Sequence, residues 1–406
     1  MKQISTISAM SPPRATPIRR LWLAVFSGYL GFGATLQLLP GFVTERFDSG
    51  PAAAGWAVGI AFAATAICRP LAGRAGDAGL ARVVVLAGGL LIAAGAAGQL
   101  MAGSLAVLLA FRLVMGAGEA ALFSAALPWV LAGTPAVRRG RVAGWFGLSM
   151  WGGLAAGPLL ALGADGGGRD ASAGWWMVIG LGLLSTVLTA STPRRHAGAS
   201  WSAIWPGHWR EVVPAGAALP GIGFGLSAYG YGTIAAGLVL FFADSGIGGE
   251  RLALFVFAAG FLVARSVGSP FVDRFGGAIV ASVCLAVEAI GLLIIALAHG
   301  PAVGLFGDAL TGVGVSLMFP AAVAVTLQRT KAAVPGTAVG LMASFWDLGV
   351  LVAGVITGQI TAFLGFRAAF LLAAGTSLLA LGVVRELNRP SLPGDEVEAA
   401  ESSVAG

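Results

Sequence analysis

The chain's 406 residues include 57% apolar and only 10% charged side chains, whereas soluble proteins have roughly 45–50% and 25%. This composition excludes a soluble multidomain protein and instead supplies roughly ten to twelve transmembrane helices of about 20 residues each. The net charge of +6 comes from scattered arginines, which excludes a nucleic-acid-binding face. Its two cysteines, three histidines and two lysines form no disulfide framework, metal site or P-loop, so no metal or cofactor is expected.

Twelve apolar segments, separated by charged or turn-forming residues, are predicted to be membrane-spanning helices. The predicted fold class is therefore an all-α polytopic membrane protein with 12 transmembrane helices. In chain order the spans cover 21–42, 53–73, 81–101, 104–132, 141–163, 174–192, 214–243, 250–272, 277–298, 301–327, 335–364 and 366–385.

The distribution of basic residues predicts the orientation of these spans. With both termini in the cytosol, 19 of the 24 Lys and Arg residues lie in cytosolic loops or at cytosolic helix ends, which is the positive-inside pattern. Arg69 is counted at the cytosolic end of span 2, and Arg112 alone falls inside a span. The preference for arginine over lysine is typical of GC-rich bacterial genomes, so we predict a multi-pass protein of the bacterial cytoplasmic membrane.

An internal repeat appears at one fixed offset of 196 residues. This offset relates Arg69 to Arg265, and it relates Asp77 to Asp273. It also relates six further pairs: Arg112 with Asp308, Gly116 with Gly312, Gly118 with Gly314, Phe123 with Phe319, Gly144 with Gly340, and Gly153 with Gly349.

The repeat divides the chain into two six-helix halves, predicted at 21–192 and 214–387. Residues 193–213 form a cytosolic linker, while 1–20 and the acidic segment 388–406 are predicted cytosolic tails, the second of them disordered. Because six is even, both halves cross the membrane in the same direction. Secondary transporters built from parallel repeats bind their substrate between the halves, near the middle of the membrane.

The repeat, the arginine in span 4 and the loop after span 2 together resemble the major facilitator superfamily. That family has a Gly-x-x-x-Asp-Arg-x-Gly loop motif, which the resemblance implies takes part in gating. The first copy here keeps Gly73 and Asp77 but lacks the arginine. The second copy has Asp273 and Arg274 but lacks the leading glycine.

Span 5 has Gly144, Gly153, Gly157 and Pro158 at the spacing Gly-x8-Gly-x3-Gly-Pro. This pattern is similar to that of family members that export substrates in exchange for protons, of the drug:proton antiporter type, although their closing glycine pair is missing. Two further segments, Phe345–Gly349 and Arg69–Gly73, together resemble bacterial arabinose-efflux-permease-like exporters. Physically, small residues allow close helix packing and the proline allows a bend. The alternative is that these residues make ordinary packing contacts.

Five ionisable residues lie within the spans, where each charge costs roughly 2.5–3.5 kcal/mol and needs a cavity, a partner or a proton. Arg112 and Asp308 occupy equivalent positions in the two halves. One hypothesis places them on opposite walls of one polar cavity, either paired directly or holding opposite charges of a substrate. The alternative is that Arg112 only braces the fold through backbone carbonyls.

Glu119 and Asp347 are competing candidates for the acid that couples transport to protons, because a carboxyl group out of water can carry a proton. A structural role is the alternative for each. Glu288 lies in span 9, which is peripheral in the resembled fold, and it is more simply explained as a protonated or hydrogen-bonded packing residue.

Polar and aromatic residues on spans 1, 5 and 7 are further candidates for the cavity wall. These are Tyr29, Gln37, Trp151, Tyr229 and Tyr231, each with ordinary packing as the alternative.

We therefore predict a secondary active transporter that exports a small molecule by alternating access, in exchange for protons, and that is not an enzyme. The mixed charges favour an amphipathic, zwitterionic or sugar-like solute. One alternative is a uniporter or proton symporter that imports a sugar or organic anion. A less favoured alternative is a non-transporting membrane sensor. The expected partners are the substrate, protons and the lipid bilayer, with no nucleic acid, and the expected state is a monomer.

Overall fold

The computed structural model describes residues 17–135, 139–164, 171–193, 216, 218–246, 248–330 and 335–387. Within these ranges every regular element is a helix, which confirms the all-α prediction. The predicted tails and linker lie mostly outside the described residues, at 1–16, 194–213 and 388–406. The domain bounds therefore stay a prediction.

Thirteen α-helices make up the described part of the chain, and a π-helical turn at Gly76–Leu80 joins the second to the third. They are α1 (Ile18–Phe47), α2 (Pro51–Ala75), α3 (Ala81–Leu100), α4 (Leu105–Ala132), α5 (Arg139–Ala164), α6 (Ala171–Ala190), α7 (Ala218–Asp244), α8 (Glu250–Phe275), α9 (Gly277–Ala296), α10 (Pro301–Ser316), α11 (Met318–Thr330), α12 (Pro335–Leu364) and α13 (Phe366–Leu387).

Eleven helical segments of the described chain are long and apolar enough to cross a membrane. One of them, of 50 residues, counts as two spans because Gly79 within it has a φ of 83°, a left-handed conformation that favours glycine. The helices α10 and α11 form one span, interrupted at Leu317. The structure thus contains the twelve spans that the sequence predicts.

The duplication is visible in the packing, because glycines at equivalent positions make equivalent close contacts. A Cβ on Gly116 would overlap the carbonyl of Ala61, and a Cβ on Gly312 would overlap the carbonyl of Phe257. Small residues let membrane helices approach closely at such points. The same correspondence holds for Gly118 against Gly88 and Gly314 against Cys284, and for Gly153 against Tyr29 and Gly349 against Gly225.

The two halves meet along a seam between α2 and α12. Near the start of α2, the backbone at Gly59 lies against Gly354, whose added Cβ would come within 2.9 Å of the Gly59 nitrogen. Near the end of α2, the Ser344 hydroxyl donates a hydrogen bond of 3.2 Å to the Ala66 carbonyl. That carbonyl is available because Pro70, four residues later, has no N–H to bond it. The seam is therefore closed at both ends.

Candidate functional site

Three charged side chains meet at the inner part of this seam. Arg69 of α2 binds both oxygens of Asp347 on α12, with Nε at 2.5 Å from Oδ2 and Nη2 at 3.1 Å from Oδ1. The same Nη2 lies 3.0 Å from Oε1 of Glu119 on α4. The side chains of Arg69, Glu119 and Asp347 are 10%, 3% and 0% exposed. We call these three residues the charge cluster.

The charge cluster contains one cation and two carboxylates. Among the side chains that the structure describes, no second cation lies within ion-pair distance of Glu119 or Asp347. If both carboxylates are ionised, the cluster has a net charge of −1 in surroundings where an uncompensated charge costs several kcal/mol. A single proton on either carboxylate removes this imbalance, so the arrangement can hold or release one proton.

Neighbouring hydrogen bonds position the helices that carry the cluster. The Tyr29 hydroxyl of α1 donates to the main-chain carbonyl of Glu119 at 3.1 Å. The Thr65 hydroxyl of α2 donates to the Gly116 carbonyl of α4 at 3.1 Å. The predicted site residue Tyr29 therefore supports the α4 backbone rather than the Glu119 carboxylate.

A small cavity lies between the halves. Its volume is about 30 Å³, roughly the room of one or two water molecules. It is lined by α1 and α5 of the first half and by α7 and α8 of the second. The predicted residues Trp151 and Tyr231 are both on its wall, and none of the described residues that line it is charged.

Arg112 is fully buried and is bound within its own half. Its Nε donates to the Ala57 carbonyl at 2.8 Å, its Nη2 to the Val58 carbonyl at 3.3 Å, and its Nη1 to the Thr35 hydroxyl at 3.1 Å. These contacts match the bracing alternative. Direct pairing with Asp308 is wrong for this structure, since backbone carbonyls already satisfy the guanidinium.

Asp308 is also fully buried, and neither of its carboxylate oxygens makes a hydrogen bond to a described residue. The backbone of Phe257 lies beside it, outside hydrogen-bond geometry. Glu288 is equally buried, and its Oε2 accepts a bond of 2.8 Å from the Ser227 hydroxyl on α7. Both carboxyl groups therefore lie apart from the charge cluster, inside the second half.

The other predicted side chains on α1 and α7 do not join the cluster. The hydroxyl of Tyr229 lies beside Thr357 of α12, which is hydrogen-bonded at 2.9 Å to Thr233. The amide oxygen of Gln37 is buried without a hydrogen-bond partner among the described residues. Its neighbour Leu36 lines the cavity, so Gln37 lies close to this space without forming its wall.

The predicted gating residues lie at or near the ends of α2 and α8. Asp77 is exposed in the turn between α2 and α3, where partial burial raises the pKa of its carboxyl and Arg74 opposes that rise. Gly73 is half-buried, and a Cβ added to it would lie 3.9 Å from the Ser124 carbonyl of α4. In the second half, Asp273 and Arg274 are exposed, and the Arg274 guanidinium lies over the adjacent Phe275 ring. Their gating role stays a prediction.

The glycines of α5 pack against α1. An added Cβ on Gly153 would come within 2.7 Å of the Phe26 carbonyl, and one on Gly157 would overlap the backbone near Ala34. Pro158 lines the cavity, while Gly144 is exposed with open space beside it. The packing interpretation thus accounts for the two central glycines, and the antiporter interpretation stays a prediction.

Arg69 is the main site residue that the sequence prediction missed. Its place near the end of span 2 suggested an ordinary cytosolic charge, but its side chain is nine-tenths buried. One signal could have found it, because the repeat relates Arg69 to Arg265, another arginine within an apolar run. Arg265 differs in its contacts, since it donates to the Ser316 carbonyl at 2.8 Å, where α10 ends.

Comparison with known proteins identifies the family. The model of the Major Facilitator Superfamily matches this chain twice, over residues 21–247 and 221–405. The chain belongs to this superfamily. Its members are transporters, so the major facilitator fold and the transporter class are established for this chain, and the resemblance drawn from the repeat is confirmed.

Bacterial relatives of the superfamily match over nearly the full length. An uncharacterized MFS-type transporter of Pseudomonas aeruginosa (strain UCBPP-PA14) is 35% identical over 378 residues, which cover 90% of this chain and 92% of the relative. Another, of Escherichia coli (strain K12), is 31% identical and covers 93% and 94%. These relatives and the apolar helices indicate a multi-pass membrane protein of the bacterial inner membrane.

Solved structures of other superfamily members share this fold. The nucleoside transporter NupG matches with a TM-score of 0.70 at 14% identity, covering 92% of this chain and 99% of NupG. The human organic anion transporter MFSD10 matches with a TM-score of 0.69 at 16% identity, covering 91% and 99%. At such identities the likeness shows the fold and carries no information on substrate.

Proposed function

We propose that this major facilitator exports a small molecule across the cytoplasmic membrane in exchange for protons, as a monomer with both termini in the cytosol. The observation that carries the proposal is the charge cluster. Arg69 bridges the two halves through Asp347, and it also has a second carboxylate, Glu119, within its own half. Protonation of a carboxylate bound to Arg69 can therefore weaken the contact that holds the two halves together.

The proposed orientation makes this bridge a cytosolic gate. Arg69 lies six residues before the end of α2, which corresponds to about 9 Å along the helix. In the proposed topology α2 ends at the cytosolic surface. The ion pair between Arg69 and Asp347 therefore holds α2 and α12 together on the cytosolic side of the cavity.

A proton can open this gate by neutralising Asp347. Once Asp347 is neutral, Arg69 keeps Glu119 as its counter-ion, so the bridge between the halves is lost without leaving a bare cation in the membrane. The halves then separate on the cytosolic side, the proton leaves to the cytosol, and substrate enters. When Asp347 is ionised again the bridge re-forms, and the loaded transporter turns outward. Each cycle moves a proton inward and a substrate molecule outward.

Liposomes with an entrapped pH dye test this mechanism. A panel of solutes is added to wild-type protein, and the solute that moves most protons is then used with Asp347→Asn and Glu119→Gln. We expect Asp347→Asn to reduce substrate-driven proton movement by about 5- to 150-fold, the usual range of a coupling free energy. Glu119→Gln should reduce it less, because Asp347 can still exchange its proton.

Glu288→Gln is the matched control, because it removes a buried carboxyl group that lies outside the charge cluster. We expect it to transport and to move protons like the wild type. Substrate flux without proton movement would show a uniporter and contradict the proposal. Proton movement in the same direction as the substrate would show a symporter instead.

A further inference from the structure

Aromatic rings from both halves meet across the space between them. Trp151 of α5 belongs to the first half, and its ring lies against Phe261, Phe319 and Trp346 of the second half. The centroid distances are 5.4, 6.0 and 5.6 Å. Trp151 therefore makes these three ring contacts across the plane where the halves separate.

These contacts belong to a closed circuit of five rings. Trp346 contacts Tyr231 at 5.6 Å, Tyr231 contacts Phe257 at 5.8 Å, and Phe257 contacts Phe261 at 6.4 Å. Phe261 then contacts Trp151, which returns the circuit to Trp346. All of these rings except Trp346 line the cavity. The wall is therefore built for contact with flat apolar groups, since aromatic pairs gain from stacked or edge-on geometry.

One polar group faces this apolar surrounding without a partner. The side chain of Trp151 is 7% exposed, and its Nε1–H has no acceptor among the described residues. A buried indole N–H usually finds a hydrogen-bond partner, and leaving it without one costs free energy. Trp151 is thus a cavity-lining residue whose buried N–H has no acceptor among the described residues.

The cavity wall also excludes several kinds of solute. None of the described residues that line it is charged, and Arg69, the cation of the charge cluster, is already bound by Glu119 and Asp347. A sugar or zwitterion placed against these rings would leave several hydroxyl or charged groups without partners, which is costly. The wall thus disfavours the sugar-like and zwitterionic solutes that the sequence suggested.

We propose that the substrate of this transporter carries a flat, uncharged aromatic ring system with a hydrogen-bond acceptor such as a carbonyl, an ether or a ring nitrogen. The ring takes the place of the partners that Trp151 loses when the halves separate, and the acceptor binds Trp151 Nε1–H. This inference rests on the proposed function only in taking the space between the halves as the substrate site.

Three probe compounds of similar shape test the proposal on the full chain in detergent. Acetylnaphthalene has both the aromatic ring and the acceptor, ethylnaphthalene lacks the acceptor, and acetyldecalin lacks the aromatic ring. The dissociation constant of each is taken from the rise of the unfolding midpoint with concentration. We expect acetylnaphthalene to bind most tightly to the wild type.

Variants at Trp151 separate the two parts of the interaction. Trp151→Phe keeps a ring but loses the N–H, so it should weaken acetylnaphthalene by about fivefold, as for one hydrogen bond, and leave ethylnaphthalene unchanged. Trp151→Ala should weaken both compounds. Trp176→Phe is the matched control, because Trp176 is 63% exposed on the outside of the helix bundle, and it should bind all three like the wild type.

Equal binding of acetyldecalin and acetylnaphthalene to the wild type would overturn the aromatic requirement. Equal loss of both naphthalenes in Trp151→Phe would overturn the hydrogen bond. These measurements need no proton gradient, so they can succeed when proton coupling fails. Loss of coupling in liposomes with intact binding here would remove the proposed antiport and keep the aromatic site.

Discussion

Replacing Arg69 by methionine is expected to lower the free energy of unfolding by about 3–5 kcal/mol, because it leaves Glu119 and Asp347 buried without a cation. The loss should be measured as a lower midpoint of unfolding in detergent. The triple variant Arg69→Met, Glu119→Gln and Asp347→Asn should recover most of this stability, because it removes the charges together.

The recovery distinguishes an electrostatic loss from a packing loss. The glycine contacts between α2 and α12 are the same in the single and the triple variant, so a packing defect at residue 69 would persist in both. If the triple variant is as unstable as Arg69→Met, the charge cluster does not contribute to stability as inferred. Arg265→Met is a useful comparison, since Arg265 donates a hydrogen bond to the Ser316 carbonyl.

Replacing Gly354 by leucine is expected to force α2 and α12 apart at the other end of the seam. An added Cβ there would already meet the Gly55 carbonyl at 2.7 Å and the Gly59 backbone at 2.8 Å. Overpacking of this kind costs about 1–3 kcal/mol. The population of the conformation closed at this contact should fall by about 5- to 150-fold relative to the conformation open there. Transport should be lost, because the transporter can no longer close this side of the cavity.

A cysteine in the cavity wall reports this opening. With Cys68 and Cys284 replaced by alanine, Ala155→Cys is labelled from outside by a membrane-impermeant maleimide. Labelling should be faster with Gly354→Leu and unchanged with Gly375→Leu, since an added Cβ on Gly375 meets nothing within 4 Å. Unchanged labelling together with full transport in Gly354→Leu would show that this contact does not close the cavity.

The fold was predictable because the membrane restricts the choices. Apolar runs of about 20 residues form helices there, and the twelve predicted spans match the structure to within a few residues at most ends. The interruption between α10 and α11 at Leu317 was not predicted. Pro320 is the local cause, because it has no N–H to bond the carbonyl of Ser316, the last residue of α10.

The sequence predicted two of the three residues of the charge cluster, but it did not predict which residues bind each other. Glu119 and Asp347 were identified because charges inside spans are rare, but they were treated as alternatives. Arg69 binds both carboxylates. Because its side chain is long, the position of Arg69 on the helix does not by itself predict where the guanidinium group lies. Arg112 and Asp308 were paired by their symmetry, whereas carbonyls of the adjacent α2 satisfy Arg112 locally.

The repeat has one consequence for how many exchange sites the molecule can have. The counterparts of Arg69, Glu119 and Asp347 in the other half are Arg265, Val315 and Trp151. Neither counterpart position therefore offers Arg265 a carboxylate, and the position equivalent to Asp347 is occupied by the indole of Trp151 at the aromatic wall. On the functions proposed here, the two equivalent positions have different roles: Asp347 exchanges a proton, and its counterpart Trp151 binds the substrate. Such a molecule moves one proton per turnover, and its two outwardly similar halves are not interchangeable.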